Sequence, residues 1–127
     1  MDYADLDPET KALCEATIGA PFEVSRCVGH GFLENVYRKS LLGELEDRGV
    51  PVEEEVPFSI RFKTRTVGTY FADIVVGRRV IVELKVAEAF ADAHVGQVLN
   101  YLRVSGLRVG LLFNFGLPKV AFRRVIL

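Results

Sequence analysis

Cysteine is scarce in this 127-residue chain: Cys14 and Cys27 are the only two, no CxxC is present, and only two histidines accompany them. Zinc-finger and thioredoxin-type chemistry, which need clustered thiols, are excluded. Two reduced thiols are expected, packed away from any site as small hydrophobes. Long apolar runs are missing too, none approaching the ~18 residues of a membrane span. The start, Met1-Asp2-Tyr3-Ala4-Asp5-Leu6-Asp7, is acidic and has no apolar leader segment. A cytoplasmic protein with no membrane partner is therefore expected. An excess of one charge is also lacking, with 16 Lys+Arg against 17 Asp+Glu, which argues against coating nucleic acid by charge alone. Repeats, low-complexity segments and linkers are absent, so residues 1 to 127 are expected to form one domain.

What is present is ample material for a core, since 50% of the residues are apolar and 26% charged. A chain of this length buries roughly two thirds of its unfolded surface. The near-neutral balance conceals an asymmetry. Residues 1 to 57 carry 13 acids and 5 bases, net −8, and residues 58 to 127 carry 4 acids and 11 bases, net +7. Either the second half presents a basic face to a polyanion, or the halves neutralise each other where they meet.

Asp7-Pro8-Glu9 is a helix start, a capping Asp before Pro at the first helical position. Leu13, Ala16, Thr17 and Ala20 then recur at helical spacing, and Pro21 predicts a kink or break before helix resumes to about Val28. A second helix is predicted over residues 32 to 48, with Leu33, Val36, Tyr37, Leu41 and Leu45 on its apolar stripe and Gly49 beyond its end. The period then shortens to that of strands over residues 52 to 63, 67 to 76 and 79 to 87, with Pro57 marking an edge or bulge. Helical spacing returns over residues 88 to 104, and strands over 108 to 115 and 120 to 127 close the chain. The order ααβββαββ predicts an α/β fold, a mixed β-sheet flanked by helices.

The second and third strands are apolar, yet each has charge in its middle: Asp73 in one, Glu83 and Lys85 in the other. Glu83 and Lys85 share a face because strand side chains alternate. A three-residue turn Gly77-Arg78-Arg79 pairs Val76 with Val80 and so sets Asp73 opposite Glu83; a two-residue turn would put them on opposite faces. Two facing carboxylates destabilise a sheet unless a cation neutralises them. Oxygen ligands of this type suit Mg²⁺ or Mn²⁺, and Lys85 could stabilise charge on a phosphate. The alternative is a plain ion pair of Lys85 with Asp73 or Glu83. His94, Gln97 and Tyr101 form a polar stripe on the third helix, which could equally be a solvated face, and Glu34 sits in the first turn of the second helix, where the helix dipole alone favours a carboxylate.

Gly31-Phe32-Leu33-Glu34-Asn35-Val36-Tyr37 matches a GxxExxY signature. Together with residues 18 to 24, 71 to 85, 97 to 102 and 106 to 116, it makes the chain resemble the GxxExxY proteins of bacteria and archaea, which are assigned to the PD-(D/E)XK nuclease superfamily. The resemblance implies a restriction-endonuclease-like αβββαβ core. It implies that Asp73, Glu83 and Glu34, with the backbone carbonyl of Leu84, hold one or two Mg²⁺ or Mn²⁺, and that Glu83-Leu84-Lys85 is the ExK element. Gln97 and Tyr101 resemble the QxxxY pair of the exonuclease-type branch. Three positions depart from the pattern: Ala72 replaces a proline, Pro21 interrupts a helix, and Val28-Gly29-His30-Gly31 replaces a Leu-Gly-Pro-Gly run.

These readings converge on a metal-dependent nuclease that cleaves nucleic acid, with DNA expected as substrate. Lys85 would support the attacking water, Gln97 would orient Lys85 or a phosphate, and Tyr101 would either stand behind those groups or contact substrate. The alternative is a catalytically silent module of the same fold that binds nucleic acid or a protein partner. A homodimer is also expected, because one site must cut two strands and the last strand leaves an open sheet edge.

Overall fold

In a computed structural model that describes residues 2–127, a 3-10 turn, Tyr3–Asp5, precedes helix α1, Pro8–Val28. Asp7 caps α1 by accepting from the Thr10 N–H at 3.1 Å. The break expected at Pro21 does not occur. Cys14, Thr17, Ala20, Pro21 and Val24 are all buried, and burying this face on both sides of the proline outweighs the single backbone hydrogen bond it forfeits.

Helix α2, Glu34–Asp47, begins two residues later than expected. Leu33, placed by its spacing on the apolar stripe, is extended and 83% exposed, and Val36 is also exposed; Tyr37, Leu41 and Leu45 are buried as predicted. Gly49 follows at φ 74°.

Strands β1, Val52–Phe62, β2, Arg65–Val76, and β3, Val80–Lys85, form an antiparallel meander. Helix α3, Asp92–Ser105, crosses to β4, Val109–Asn114, which lies parallel to β3, and β5, Ala121–Ile126, pairs antiparallel with β4. The sheet order β1-β2-β3-β4-β5 is the mixed sheet expected, with β1 and its Pro57 on one edge and β5 on the other. Third strand and third helix are both shorter than their patterns suggested. The chain leaves the sheet at Val86, and α3 starts at Asp92 after irregular residues.

Two apolar layers enclose the sheet. Helices α1 and α2 pack through Cys14, Ala20, Tyr37 and Leu41 on Ile74, Val80, Val82, Leu84 and Phe113. Helix α3 packs through Val98 and Leu102 on Tyr70, Ala72, Ile81 and Leu112. Gly110 admits α3 this closely, since a Cβ there would meet Val98 at 2.6 Å. The charged halves touch through few pairs: Arg79 bridges to Asp7 and Glu9, and Arg78 to Glu53. Among the described residues no helix is long and apolar enough to cross a membrane.

Candidate active site

The turn Gly77-Arg78-Arg79 has the three-residue length that pairs Val76 with Val80 and Ile74 with Val82. Gly77 and Arg78 both have positive φ, 57° and 59°, and the Arg79 N–H donates to the Val76 carbonyl at 3.0 Å. The ladder between β2 and β3 covers only these pairs and ends at Ile74–Val82. Asp73 and Glu83 occupy the next level, where the two strands begin to separate. There the Asp73 N–H donates to Glu83 Oε1 at 3.3 Å, and the Leu84 N–H donates to Asp73 Oδ2 at 3.1 Å.

Glu83 is buried, 6% exposed, and beside Asp73. Burial first, and then the Asp73 charge, push its pKa up to about 8. Tyr70 donates its hydroxyl to Glu83 Oε1. The Tyr70 ring stacks on Tyr101 of α3, with centroids 3.7 Å apart and planes 7° from parallel. Burial, followed by the Glu83 charge, raises the pKa of both tyrosines, so each remains a neutral hydroxyl.

Lys85, on the same face as Glu83, makes no ion pair with either carboxylate among the described residues; its Nζ donates to Gln97 Oε1 at 2.8 Å. The plain ion-pair reading of Asp73, Glu83 and Lys85 is therefore not realised. Nor does the helix stripe act as one solvated face. Gln97 meets Lys85, Tyr101 stacks on Tyr70, and His94 Nδ1 accepts from the Ala91 N–H at 3.1 Å at the start of α3.

Glu34 enters from the opposite layer. Tyr37, buried and stacked on Phe115 at 4.8 Å, donates its hydroxyl to the Gly29 carbonyl at 2.9 Å and accepts from the Phe32 N–H at 3.1 Å. The tyrosine of Gly31-x-x-Glu34-x-x-Tyr37 thus pins the loop that delivers the glutamate. Glu34 is an exposed residue, but the pocket wall partly covers its carboxylate, and this covering, followed by the Asp73 charge, raises its pKa. Glu34, Asp73, Glu83, Leu84, Lys85 and Tyr101 all border one pocket of about 440 Å³.

The donor set fits a hard divalent cation. Two carboxyl groups stand side by side and repel once both are ionised, and a strand residue turns its N–H and C=O toward the same neighbour, so the Leu84 carbonyl faces the Asp73 side. The Lys85 carbonyl points the other way, accepting from the Phe115 N–H at 2.9 Å. Among the described residues, however, no three His, Cys, Asp or Glu side chains stand close enough together to form a ligand cluster. Asp73 and Glu83 are a pair, with Glu34 at the rim.

Two residues of this site escaped the sequence reading. Regular alternation puts Tyr70 on the face away from Asp73, but the phase slips at this level of the ribbon. Tyr70, Ala72 and Val75 pack in the α3 layer while Ile74 and Val76 pack in the other, and Glu55, across from Asp73, has φ 51°. Asn114 is fully buried and clamps the chain just past Lys85. Its Oδ1 accepts from the Ala87 N–H at 3.1 Å and its Nδ2 donates to the Ala87 carbonyl at 3.0 Å. A lone amide in the apolar run from Val109 to Phe115 was its signal.

No curated protein matches the chain. A solved structure described as "Crystal structure of SSO0001" superposes with a TM-score of 0.59 at 19% identity, over 93% of this chain and 57% of that one. The chain thus spans little more than half the length of that neighbour, and the likeness is one of fold. The profile of the PD-(D/E)XK nuclease superfamily matches residues 11–125, which contain every side chain of the pocket described above. A match over nearly the whole chain, on a mixed sheet of the expected order, places this protein in the PD-(D/E)XK nuclease superfamily.

Proposed function

We propose that the chain is a divalent-metal-dependent nuclease that hydrolyses phosphodiester bonds, with DNA as its substrate. One observation carries this reading: a buried Glu83 beside a half-buried Asp73, two carboxyl groups that repel once both are ionised, next to a lysine that bonds to Gln97 rather than to either of them. Nucleases of this superfamily generally use divalent metals. Asp73, Glu83 and the Leu84 carbonyl would hold Mg²⁺ or Mn²⁺, with Glu34 closing the site from α2. A bound ion of this kind polarises a phosphoryl oxygen and lowers the pKa of water.

The chain's own groups do the rest. Tyr70 holds Glu83 Oε1 in place, and the proton Glu83 keeps at neutral pH is the one it must release for both carboxylates to act as ligands. Lys85 Nζ, held by Gln97, places a positive charge where the attacked phosphate becomes more negative. Tyr101 backs Tyr70 and borders the substrate space.

Purified protein should nick or degrade DNA with Mg²⁺ or Mn²⁺. Asp73→Ala, Glu83→Ala and Lys85→Ala should each lower the rate by about a hundredfold or more. Full activity in all three overturns the mechanism. Calorimetric titration separates the nuclease from a silent binding module: the nuclease binds Mn²⁺ with an affinity that Glu83→Gln weakens, and the silent module needs no such affinity. A C2 homodimer would use the open edge of β5. Sedimentation giving twice the 14.2 kDa chain mass supports it, and 14.2 kDa rejects it.

A further inference from the structure

Beyond its short ladder with β3, the β1–β2 ribbon continues as two strands whose faces differ. Val56, Phe58, Ile60 and Tyr70 pack with α3. On the other face Pro57 lies opposite Phe71 and Ser59 opposite Thr69, and all four are exposed. Phe71 is 59% exposed and, with Thr69, borders the pocket of Asp73 and Glu83. At the tip, past a register shift at Ile60/Arg61, stand Arg61, Lys63 and Arg65, all exposed, and Phe62 at 60% exposure. Among the described residues none of these three cations forms an ion pair, and Lys63 Nζ lies over the Phe62 ring, 5.3 Å from its centroid. The acids at the base of the ribbon are matched, Glu53 by Arg78 and both Glu54 and Glu55 by Arg38.

Free positive charge leading to an exposed ring at the mouth of the site is complementary to a polyanion with accessible base faces. We propose that this open face and the tip of the ribbon form a track for an unpaired nucleic-acid strand: Phe71 stacks on a base beside the phosphodiester at Asp73–Glu83, and Arg61, Lys63 and Arg65, which surround the tip from both faces, bond phosphates further along. The proposal rests on the nuclease reading for what happens at the end of the track. Five strand residues separate the Pro57–Phe71 pair from the Phe62–Arg65 pair, about 17 Å. A duplex strand would carry about five phosphates over that length, and an unpaired strand, which extends further per nucleotide, carries fewer. A duplex conceals its base faces and gives Phe71 nothing to stack on, whereas every unpaired base offers a π-face.

Fluorescence anisotropy with a labelled oligo-dT strand in EDTA tests binding without cleavage. In the triple variant Arg61→Ala, Lys63→Ala, Arg65→Ala, the slope of log affinity against log salt should fall by about 2, three phosphates at about 0.7 each. Phe71→Ala should weaken the single strand about tenfold, leave a duplex of equal length unaffected, and be rescued by Phe71→Trp. All substituted residues are exposed, so the variants should keep the parent's circular dichroism and melting. An unchanged slope, equal loss for duplex and single strand, or a parent that binds anionic phospholipid vesicles and no oligonucleotide overturns the track. Binding as described with no cleavage under Mg²⁺ or Mn²⁺ leaves the track standing and removes the nuclease. Cleavage with unaltered binding in every ribbon variant does the reverse.

Discussion

Glu83 shows how one residue can link proton, ion and fold. Its carboxyl ionises near pH 8 in the folded chain because water is excluded and Asp73 is adjacent; unfolded, it ionises in the ordinary carboxylate range. Between those values the folded chain holds a proton that the unfolded chain has released, so stability falls as pH rises through the interval and levels off above it. The melting temperature in EDTA should therefore decline from about pH 5 to about pH 8, more steeply in the parent than in Glu83→Gln. Mg²⁺ should recover the loss at the upper end, since a cation removes the repulsion that raised the pKa. A parent and a Glu83→Gln variant with identical pH profiles would show that Glu83 ionises normally. Tyr70, which shares the Glu83 oxygen with the Asp73 N–H, could not be read from spacing. Its place depends on a slip of phase at Asp73 and Glu55, and a regular period has no means of announcing one.

Among the elements, β3 matters most to the site, and its far end is secured from outside itself. Asn114 of β4 bonds both polar groups of Ala87 and accepts from the Gly116 N–H at 2.9 Å, so the chain turns out of the sheet directly after Lys85. Asn114→Ala leaves those backbone groups unsatisfied and should cost about 2–3 kcal/mol in urea unfolding. It should also reduce cleavage, because Lys85 is only two residues from the clamp. Asn114→Asp sets a carboxylate oxygen against the Ala87 carbonyl in a site with no exposed surface, and should cost at least as much. The meander and the crossover helix were legible because periodicity determines them, whereas the facing of Asp73 and Glu83 was one of two outcomes that the turn length decides. Element ends were not legible. Asn114 fixes where β3 stops through hydrogen bonds to a residue 27 positions away in the sequence, and the Tyr37 hydroxyl ties down the loop before α2 through backbone groups that helical spacing does not single out.

For the whole molecule, the opposed charges of the two halves suggest an electrostatic clasp, but the structure assigns them little of the cohesion. The pairs from Arg79 to Asp7 and Glu9 are solvent-exposed, and such pairs contribute less than about 1 kcal/mol. The apolar layers on the two sides of the sheet hold it together. Phe113 has no exposed surface and lies in the layer shared by α1 and α2. Arg79→Ala should shift the free energy of unfolding by less than about 1 kcal/mol, and Phe113→Ala should lower it by about 3–5 kcal/mol. Comparable losses in the two variants would show that charge, rather than burial, joins the halves.

The length of the turn at Gly77-Arg78-Arg79 also restricts how the sequence can drift over generations. A substitution along β3 changes one side chain and leaves the pairing in register, but the gain or loss of a single codon in the turn meets a stricter condition. If the added residue displaced the pairing of β3 by one, Val80, Val82 and Leu84 would leave their apolar layer at the same moment that Glu83 and Lys85 left Asp73 and Gln97. Such a change survives only if the extra residue loops out and the pairing is kept. The buried valines thus act as a reading-frame check on the site: an indel that would misplace Glu83 and Lys85 also removes the fold, so a folded chain with a misaligned site is not the expected product of such a change.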